Sequence, residues 1–516
     1  MNKLKDILRD EIEEFRKVGA DFKEGKISVM EFKHSSGGFG VYAHRGGKEF
    51  MVRLRIPSGV TNVEELKIVY DFAKKYNLEG IHLTTRQAIQ LHGMDIDEIC
   101  DLMRDALDVN LFTRGAGGNF PRNVALSPLS GVDKKEPFDP TPYALSVGNH
   151  FLRKIYTYHL PRKLKVSFSN SSEDTAHCTV QDLGFLAVEK DGKDYFKVYI
   201  GGGLGNNPRK AIELDELIEP KDVIYHIEGM TKLFINEGDY KNKAKARIRY
   251  IADRMGDEAF AKLYKEYVQE EKNKGNLDLN IELPSISKQG KTTSIKDNRL
   301  YEQKQAGLYS VYIHPVGGQL KLEDLKKIID ILESYEDIDI RLSMDEGVYI
   351  RNLNGDEAEK VLEITKDIGV CTELQKSVSC IGVPTCQIGI GNSQKLLKDI
   401  IAYFKEKEYE LDILPKIFIS GCPNSCGVHE IGKIGFTGKK KRVEDTPQDV
   451  FTLFIGGELG ENKTKLGCNK GDMLPDRIPE FLYELAKKIE NDKLTFDEYI
   501  IQKEEHLNNL IESYIV

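Results

Sequence analysis

The chain has 516 residues, of which 40% are hydrophobic and 30% are charged, and its formal net charge is −9 from 74 basic and 83 acidic side chains. This length allows about three domains, the composition is typical of a globular protein, and the acidic balance argues against a nucleic-acid partner. Eight cysteines are too few for a disulfide scaffold. The N-terminal segment is an amphipathic charged helix without a signal-peptide core, and no apolar run approaches the ~18 residues of a membrane span. We therefore expect a cytoplasmic protein without a membrane partner.

Two copies of one pattern follow each other along the chain. The segments beginning at Phe50 and at Ser310 both read as strand, Pro/Gly turn, helix, strand, turn and strand. A second pair of segments also repeats, because LPRKLKVSFSNS from Leu160 matches LPKIFISGCPNS from Leu414. The chain therefore has the order A–B–A′–B′, which indicates an internal duplication.

The A units have a β-α-β-β pattern that leaves one sheet edge unpaired. Two such units could complete one ferredoxin-like sheet about a pseudo-twofold axis, and each B unit could form an α/β lobe. We predict a duplicated α/β (α+β) fold of paired ferredoxin-like half-domains plus two lobes. The predicted parts are the N-terminal helix with the first half-domain at 1–115, the first lobe with a helical extension at 116–270, a linker at 271–300, the second half-domain at 301–370 and the second lobe at 371–516.

Polar and basic residues distinguish the first copy from the second. Three of them alternate in TTRQAIQLHG and would share one face of a strand: Arg86, Gln90 and His92. The second copy has other residues at these positions: Asp345, Tyr349 and Arg351. Further basic residues stand in VRLRIP, after the Gly-rich loop RGAGGN and in PRKLK: Arg53, Arg122, Arg162, Lys163 and Lys165. By itself this pattern fits either a solvated surface or an anion site.

Two close cysteine pairs mark the second copy. Their spacings are C-x5-C and C-x3-C, and each pair lies in a segment rich in Gly and Pro: Cys380, Cys386, Cys422 and Cys426. Four thiolates gathered in this way hold an iron–sulfur cluster or a zinc ion. Zinc ribbons usually have shorter spacings, so the first pair favours a [4Fe-4S] cluster and leaves zinc as the alternative.

The motif C-I-G-V-P-T-C followed by G-C-P-N-S-C-G resembles the cluster signature of the sirohaem-dependent sulfite and nitrite reductases, and the resemblance extends over roughly residues 40–465. It implies that the four cysteines hold a [4Fe-4S] cluster and that Cys426 also bridges to the sirohaem iron. It implies cofactor contacts for five residues, of which the last orients the second cysteine loop: Arg86, Gln90, His92, Arg162 and Asn424. It implies that four others line the face where a substrate anion binds: Arg53, Arg122, Lys163 and Lys165.

The same resemblance implies a six-electron reductase. Its sulfite reductases typically show K-x-K where this chain has Lys163 and Lys165, whereas its nitrite reductases commonly carry Asn at the second position. We therefore expect reduction of sulfite to sulfide, with reduction of nitrite to ammonia as the alternative. The chain has no flavin or nicotinamide fingerprint, so we expect electrons from ferredoxin. A non-enzymatic protein braced by zinc or a cluster is the alternative of another class, and it leaves the basic residues unexplained.

Overall fold

The computed structural model describes residues 2–282, 286–369 and 372–516. Within these residues the chain forms two compact units. The first unit comprises Met1–Gly203, Arg209–Ile313 and Gln319–Ile368, and the second comprises Leu204–Pro208, His314–Gly318 and Gly369–Val516. In the described part of the chain, no helix combines the length and the apolar character that a bilayer crossing requires.

Helices and strands alternate along the chain. The α-helices are α1 (Asn2–Lys23), α2 (Val29–Ser36), α3 (Val63–Lys75), α4 (Ile96–Asp108), α5 (Thr141–Arg153), α6 (Val223–Glu237), α7 (Ile248–Met255), α8 (Asp257–Lys274), α9 (Leu322–Leu332), α10 (Gly355–Ile364), α11 (Ser393–Glu406), α12 (Ile478–Asp492), α13 (Phe496–Gln502) and α14 (Glu504–Glu512). The strands are β1 (Val41–Ala43), β2 (Phe50–Arg55), β3 (Val60–Thr61), β4 (Gly80–Leu83), β5 (Ala88–Met94), β6 (Ala125–Leu126), β7 (Val166–Ser169), β8 (Leu183–Lys190), β9 (Lys193–Ile200), β10 (Ile212–Glu213), β11 (Leu300–Glu302), β12 (Leu308–Ile313), β13 (Gln319–Lys321), β14 (Asp339–Leu342), β15 (Val348–Asn354), β16 (Val378–Ser379), β17 (Ile417–Ser420), β18 (Ile434–Val443), β19 (Thr446–Ile455) and β20 (Cys468–Met473).

Two sheets of the first unit exchange one short strand each. The five-stranded sheets have the orders β1-β2-β5-β4-β13 and β11-β12-β15-β14-β3. Strand β13 of the second copy pairs antiparallel with β4 of the first, and β3 of the first copy pairs antiparallel with β14 of the second. Paired ferredoxin-like half-domains are thus confirmed. They form two sheets and not one, because each open edge takes up a strand from the other copy.

Local sequence signals explain the helices of the half-domains. Helix α4 begins after Asp95, whose side chain accepts the backbone N–H groups of Asp97 and Glu98, while the Glu98 side chain accepts the N–H of Asp95. Asn354 and Glu357 form the same reciprocal cap at the start of α10. Such capping boxes satisfy N–H groups that the helix itself leaves unpaired. Both helices then bury their apolar faces.

The two B segments form sheets with one topology. In the first unit β6, β7 and β8 pair in parallel, and β8, β9 and β10 pair antiparallel. In the second unit β16, β17 and β18 pair in parallel, and β18, β19 and β20 pair antiparallel. The duplication therefore extends to the pairing of the strands. Arg122, Lys165 and the predicted cysteines lie close to the parallel strands of these two sheets, whereas Arg53, Gln90 and His92 lie on the first half-domain sheet.

Candidate functional site

The Gly-rich loop RGAGGN holds two arginines of the first unit close together. Arg53 lies on β2, and its Nη1 donates a hydrogen bond to the carbonyl oxygen of Ala116 at 2.8 Å. Arg122 follows the loop, and its Nη1 donates to the same oxygen. Two guanidinium groups that share one acceptor concentrate positive charge, so this part of the unit is suited to bind an anion.

Tyr42 on β1 packs against this pair. The Arg53 guanidinium lies 6.0 Å from the centroid of the phenol ring, and the Gly118 N–H donates to Tyr42 Oη at 3.1 Å. Burial by itself raises the pKa of Tyr42, but the charges of Arg122, Arg53 and Lys33 and the Gly118 hydrogen bond together lower it, and the net result is a lowered pKa. The surroundings of Tyr42 therefore favour the phenolate.

The PRKLK segment joins the same region through its backbone. The Arg122 N–H donates to the Leu164 carbonyl at 2.9 Å, and the Leu164 N–H donates to the Phe120 carbonyl at 3.2 Å. Leu164 is buried, whereas Lys163 and Lys165 are partly exposed. Because neighbouring side chains of an extended segment point to opposite faces, the two lysines share the face that Leu164 does not occupy.

Arg86 has buried N–H groups without a hydrogen-bond acceptor. Its Nη2 donates to the carbonyl oxygens of Asn123 at 2.6 Å and Val166 at 3.4 Å. Nε and Nη1 are buried and have no hydrogen-bond partner among the described residues. Burial and the nearby charge of Arg122 lower the pKa of Arg86 to about 9. A buried guanidinium with two unsatisfied donors fits a carboxylate or another oxyanion as its partner. Arg86 precedes β5 and is not part of the strand, so it does not share the strand face of Gln90 and His92 through the predicted alternation.

A second group of arginines surrounds Arg162. Burial and the charges of Arg247 and Arg249 lower the pKa of Arg162. Arg247 forms a buried ion pair with Asp182, with Nη2–Oδ1 and Nη2–Oδ2 distances of 2.9 Å. Asp182 pairs with Arg247, and its charge also acts on Arg249, whereas Arg162 is subject to the positive charges of both arginines. Such an accumulation of guanidinium groups suits a ligand with several carboxylates. Arg247 and Arg249 come from the ARIRY segment at the start of α7.

A chain of hydrogen bonds leads from the surface to Arg53. We call its members the histidine chain: Glu49, His44, His92, Gln90 and His82. The His44 Nδ1–Glu49 Oε2 distance is 3.3 Å, and the His44 Nε2–His92 Nδ1 distance is 3.1 Å. Because Arg53 has only donors, the Gln90 amide is oriented with its oxygen toward Arg53, 3.1 Å from Nε, and its nitrogen then lies 3.3 Å from His92 Nε2 and 2.9 Å from His82 Nδ1. The strand register explains these contacts, because Gln90 on β5 lies opposite Arg53 on β2 and His82 on β4.

The four predicted cysteines lie on two adjoining loops of the second unit. Cys380 follows β16 and Cys422 follows β17, and these two strands are parallel neighbours. The Gly421 N–H donates to Cys380 Sγ at 3.1 Å. A Cβ atom on Gly421 would lie 2.8 Å from the carbonyl oxygen of Gly391, so only glycine allows the two loops to approach this closely.

The thiols influence one another electrostatically. Burial, followed by the charge of Cys426, raises the pKa of Cys380 to about 12. Burial also raises the pKa of Cys422, and Cys426 and Cys386 contribute to that increase. Thiols with raised pKa values need metal cations nearby to become thiolates, so Cys380 and Cys422 are suited to bind metal rather than to act as free thiolates. The Asn424 side-chain amide donates to Cys422 Sγ at 3.5 Å, in agreement with a role in orienting this loop.

Comparison with known families identifies the chain. The model of the nitrite and sulphite reductase 4Fe-4S domain matches residues 117–272 and 372–492, and the model of the nitrite/sulfite reductase ferredoxin-like half domain matches 42–109 and 301–368. Together they cover well over half of the sequence. The chain belongs to the nitrite and sulfite reductase family. It is therefore an oxidoreductase with sirohaem and a [4Fe-4S] cluster as cofactors, and the non-enzymatic alternative is not retained.

Relatives of this reductase include characterised proteins and a solved structure. Ferredoxin–nitrite reductase from Synechococcus elongatus is 27% identical over 454 residues, which cover 84% of this chain and 86% of that protein. Assimilatory ferredoxin-dependent nitrite reductase from Haloferax mediterranei is 25% identical over 512 residues, which cover 93% of this chain and 86% of that protein. The NirA protein of Mycobacterium tuberculosis has the same fold, with a TM-score of 0.77 at 21% identity over 95% of this chain and 96% of that chain.

Sequence reasoning on the reductase missed several residues of the basic region. They are Tyr42, His44, His82, Arg247 and Arg249. A comparison of the two repeats contained a signal for His82. The register places Arg53, His82 and Gln90 together at the centre of the first sheet. The second sheet has different residues at the matching positions: Tyr312, Arg341 and Tyr349. The R-x-R spacing of ARIRY was a signal for the two arginines.

Proposed function

We propose that this reductase catalyses the six-electron reduction of sulfite to sulfide. The observation that carries the proposal is the pair Arg53 and Arg122 on one carbonyl oxygen, with Lys163 and Lys165 on either side of Leu164, whose backbone bonds to that of Arg122. Sulfite is a dianion when fully deprotonated, so it gains more from several cations than a monoanion does. Bidentate guanidinium groups orient an oxyanion, and the two ammonium groups donate protons to the oxygens that leave as water.

The cofactor contacts follow from the same proposal. Cys380, Cys386, Cys422 and Cys426 hold the [4Fe-4S] cluster, and Cys426 also binds the sirohaem iron. The proposed partners of the macrocycle and its carboxylates are Arg86, Gln90, His92 and Arg162, while Asn424 orients the second cysteine loop. The unsatisfied N–H groups of Arg86 support the assignment, because a carboxylate would complete them. When bound, the two cofactors supply the electrons one at a time.

Nitrite is the second candidate substrate. Two relatives that cover most of this chain are named as ferredoxin-dependent nitrite reductases. The same names support ferredoxin as the electron donor of this reductase, a role that we propose here. Lys165 is the residue that favours sulfite, because nitrite carries one charge less and needs fewer cations.

A substitution at Lys165 tests the choice of substrate. We expect purified protein to show the spectrum of sirohaem and about five irons per chain, one in sirohaem and the others in the cluster. With a chemical electron donor, kcat/KM is then measured for both anions in the native protein and in Lys165→Asn. Loss of one charge-assisted contact should lower sulfite turnover by about 10–100-fold and nitrite turnover by less.

The control for this test is Lys193→Asn on β9, where the side chain is exposed. It should leave both rates unchanged. A native protein that strongly prefers nitrite, or equal losses for both anions in Lys165→Asn, would transfer the proposal to nitrite. A protein that binds no sirohaem would end it.

A further inference from the structure

The histidine chain has one consistent arrangement of protons. Arginine side chains carry only donors, so the Gln90 oxygen must face Arg53, and the Gln90 NH₂ group then faces His82 Nδ1 and His92 Nε2. Both of these ring nitrogens must accept, so neither carries a proton. His92 therefore carries its proton on Nδ1 and donates it to His44 Nε2.

The hydrogen bonds at the outer end of the histidine chain run in the same donor-to-acceptor direction. His44 accepts on Nε2, so its proton is on Nδ1 and points to the Glu49 carboxylate, whose side chain is 63% exposed. Every hydrogen bond of the chain is thus formed only when His44, His82 and His92 are all neutral. A proton added to His82 or His92 would place two donors opposite each other.

The surroundings keep the three imidazoles neutral. Burial lowers the pKa of His44, lowers that of His82 to about 4 and lowers that of His92 well below its ordinary value. The groups that face His92 are His82 on β4, His44 next to β1 and Arg53 on β2, and all three lower its pKa further. Among the described residues, Glu49 is the one carboxylate that changes the pKa of a histidine in the histidine chain, and it raises the pKa of His44.

We propose that Gln90 is a positioning residue, which holds Arg53 in place for the substrate anion only while His82 and His92 are neutral. A protonated His92 needs an acceptor at Nε2, and the Gln90 oxygen is the atom within reach. When the amide turns to supply it, the NH₂ group faces Arg53, and Arg53 keeps only its bond to the Ala116 carbonyl. The inference rests on the proposed function, since it gives Arg53 the anion as its ligand.

Anion binding at different pH values tests this inference. The probe is nitrite, and the range runs from about pH 8 down to about pH 4, where His82 titrates. Its equilibrium affinity for the oxidised holoenzyme is followed through the sirohaem absorption, and KM and kcat are measured beside it. In the native protein we expect affinity and KM to stay constant while His82 and His92 remain neutral. We expect affinity to fall and KM to rise, with a smaller change in kcat, only as the pH approaches the pKa of His82.

Three variants separate positioning from other roles. Gln90→Leu should weaken nitrite binding to the sirohaem that it retains about tenfold at pH 8 and abolish the further loss in acid. Gln90→Glu keeps an oxygen toward Arg53 and should restore binding at low pH. His92→Asn cannot be protonated and should bind nitrite in acid as the native protein does at pH 8. Tyr349→Phe, at the repeat-related position of Gln90, is the control and should behave like the native protein.

Several results would overturn the inference. They are unchanged nitrite affinity in Gln90→Leu and a loss in acid that persists in Gln90→Leu or His92→Asn. His92→Asn keeps the test decisive if Gln90→Leu does not fold. Native protein without sirohaem or turnover would refute the proposed function itself, whereas an active native enzyme with these results refutes only the role of Gln90.

Discussion

Replacement of Arg86 by methionine should change stability in opposite directions in the two forms of the protein. Without cofactor, the native fold buries a guanidinium with two unsatisfied N–H groups, and its pKa falls from 12.5 to about 9. A difference of this size corresponds to a burial cost on the order of a few kcal/mol. The cost is present in full below about pH 9 and decreases as pH rises through this folded-state pKa. Arg86→Met removes the charge and keeps the chain length, so cofactor-free protein should become more stable by about 1–3 kcal/mol.

The loaded enzyme should respond in the other direction. If a sirohaem carboxylate completes the Arg86 N–H groups, the variant loses charge-assisted hydrogen bonds worth about 1.5–3 kcal/mol and should retain sirohaem about 10–100-fold less tightly. Thermal unfolding of both forms and sirohaem content per chain measure the two effects. Arg351→Met is the matched control. The Arg351 side chain is buried, and its Nε also has no partner, but its Nη1 donates to the carbonyl oxygens of Pro128 and Ser130 and its Nη2 pairs with Asp339. Its loss should destabilise both forms. If Arg86→Met behaves like Arg351→Met, the reasoning about Arg86 is wrong.

Two further predictions concern the cysteine loops. Cys426→Ser should abolish coupling between cluster and sirohaem and lower the content of both, as measured by the absorption and electron paramagnetic resonance spectra, whereas Cys468→Ser, an exposed cysteine on β20, should leave them unchanged. Unchanged spectra in Cys426→Ser would exclude the bridge. Gly421→Ala should lower iron content at least severalfold because its Cβ would lie 2.8 Å from the Gly391 oxygen, and full iron content in this variant would show that the loops can separate.

The duplication and the cysteines could be predicted from sequence, because motif spacing is a local property. The repeat comparison predicted the paired half-domains. The C-x5-C and C-x3-C spacings favoured a cluster over zinc, and the resemblance of the surrounding motif to the reductase family implied the [4Fe-4S] cluster. The exchange of β3 and β13 could not be predicted, since strands of two and three residues carry no periodicity. The partners of Arg53 depend on the register between β2, β5 and β4, which pattern alone does not fix. The cytoplasmic location stays a prediction.

The exchanged strands have a consequence for synthesis on the ribosome. The edge strand β4 of the first sheet is covered by Gln319–Lys321, which is made long after β4 itself. Until then the nascent chain exposes an unpaired edge, a feature that promotes pairing with other chains. A fragment that ends before β13 should therefore aggregate or form dimers through this edge, while a separately supplied second copy should rescue it. The two copies therefore have to fold together, as the two subunits of an intertwined dimer do.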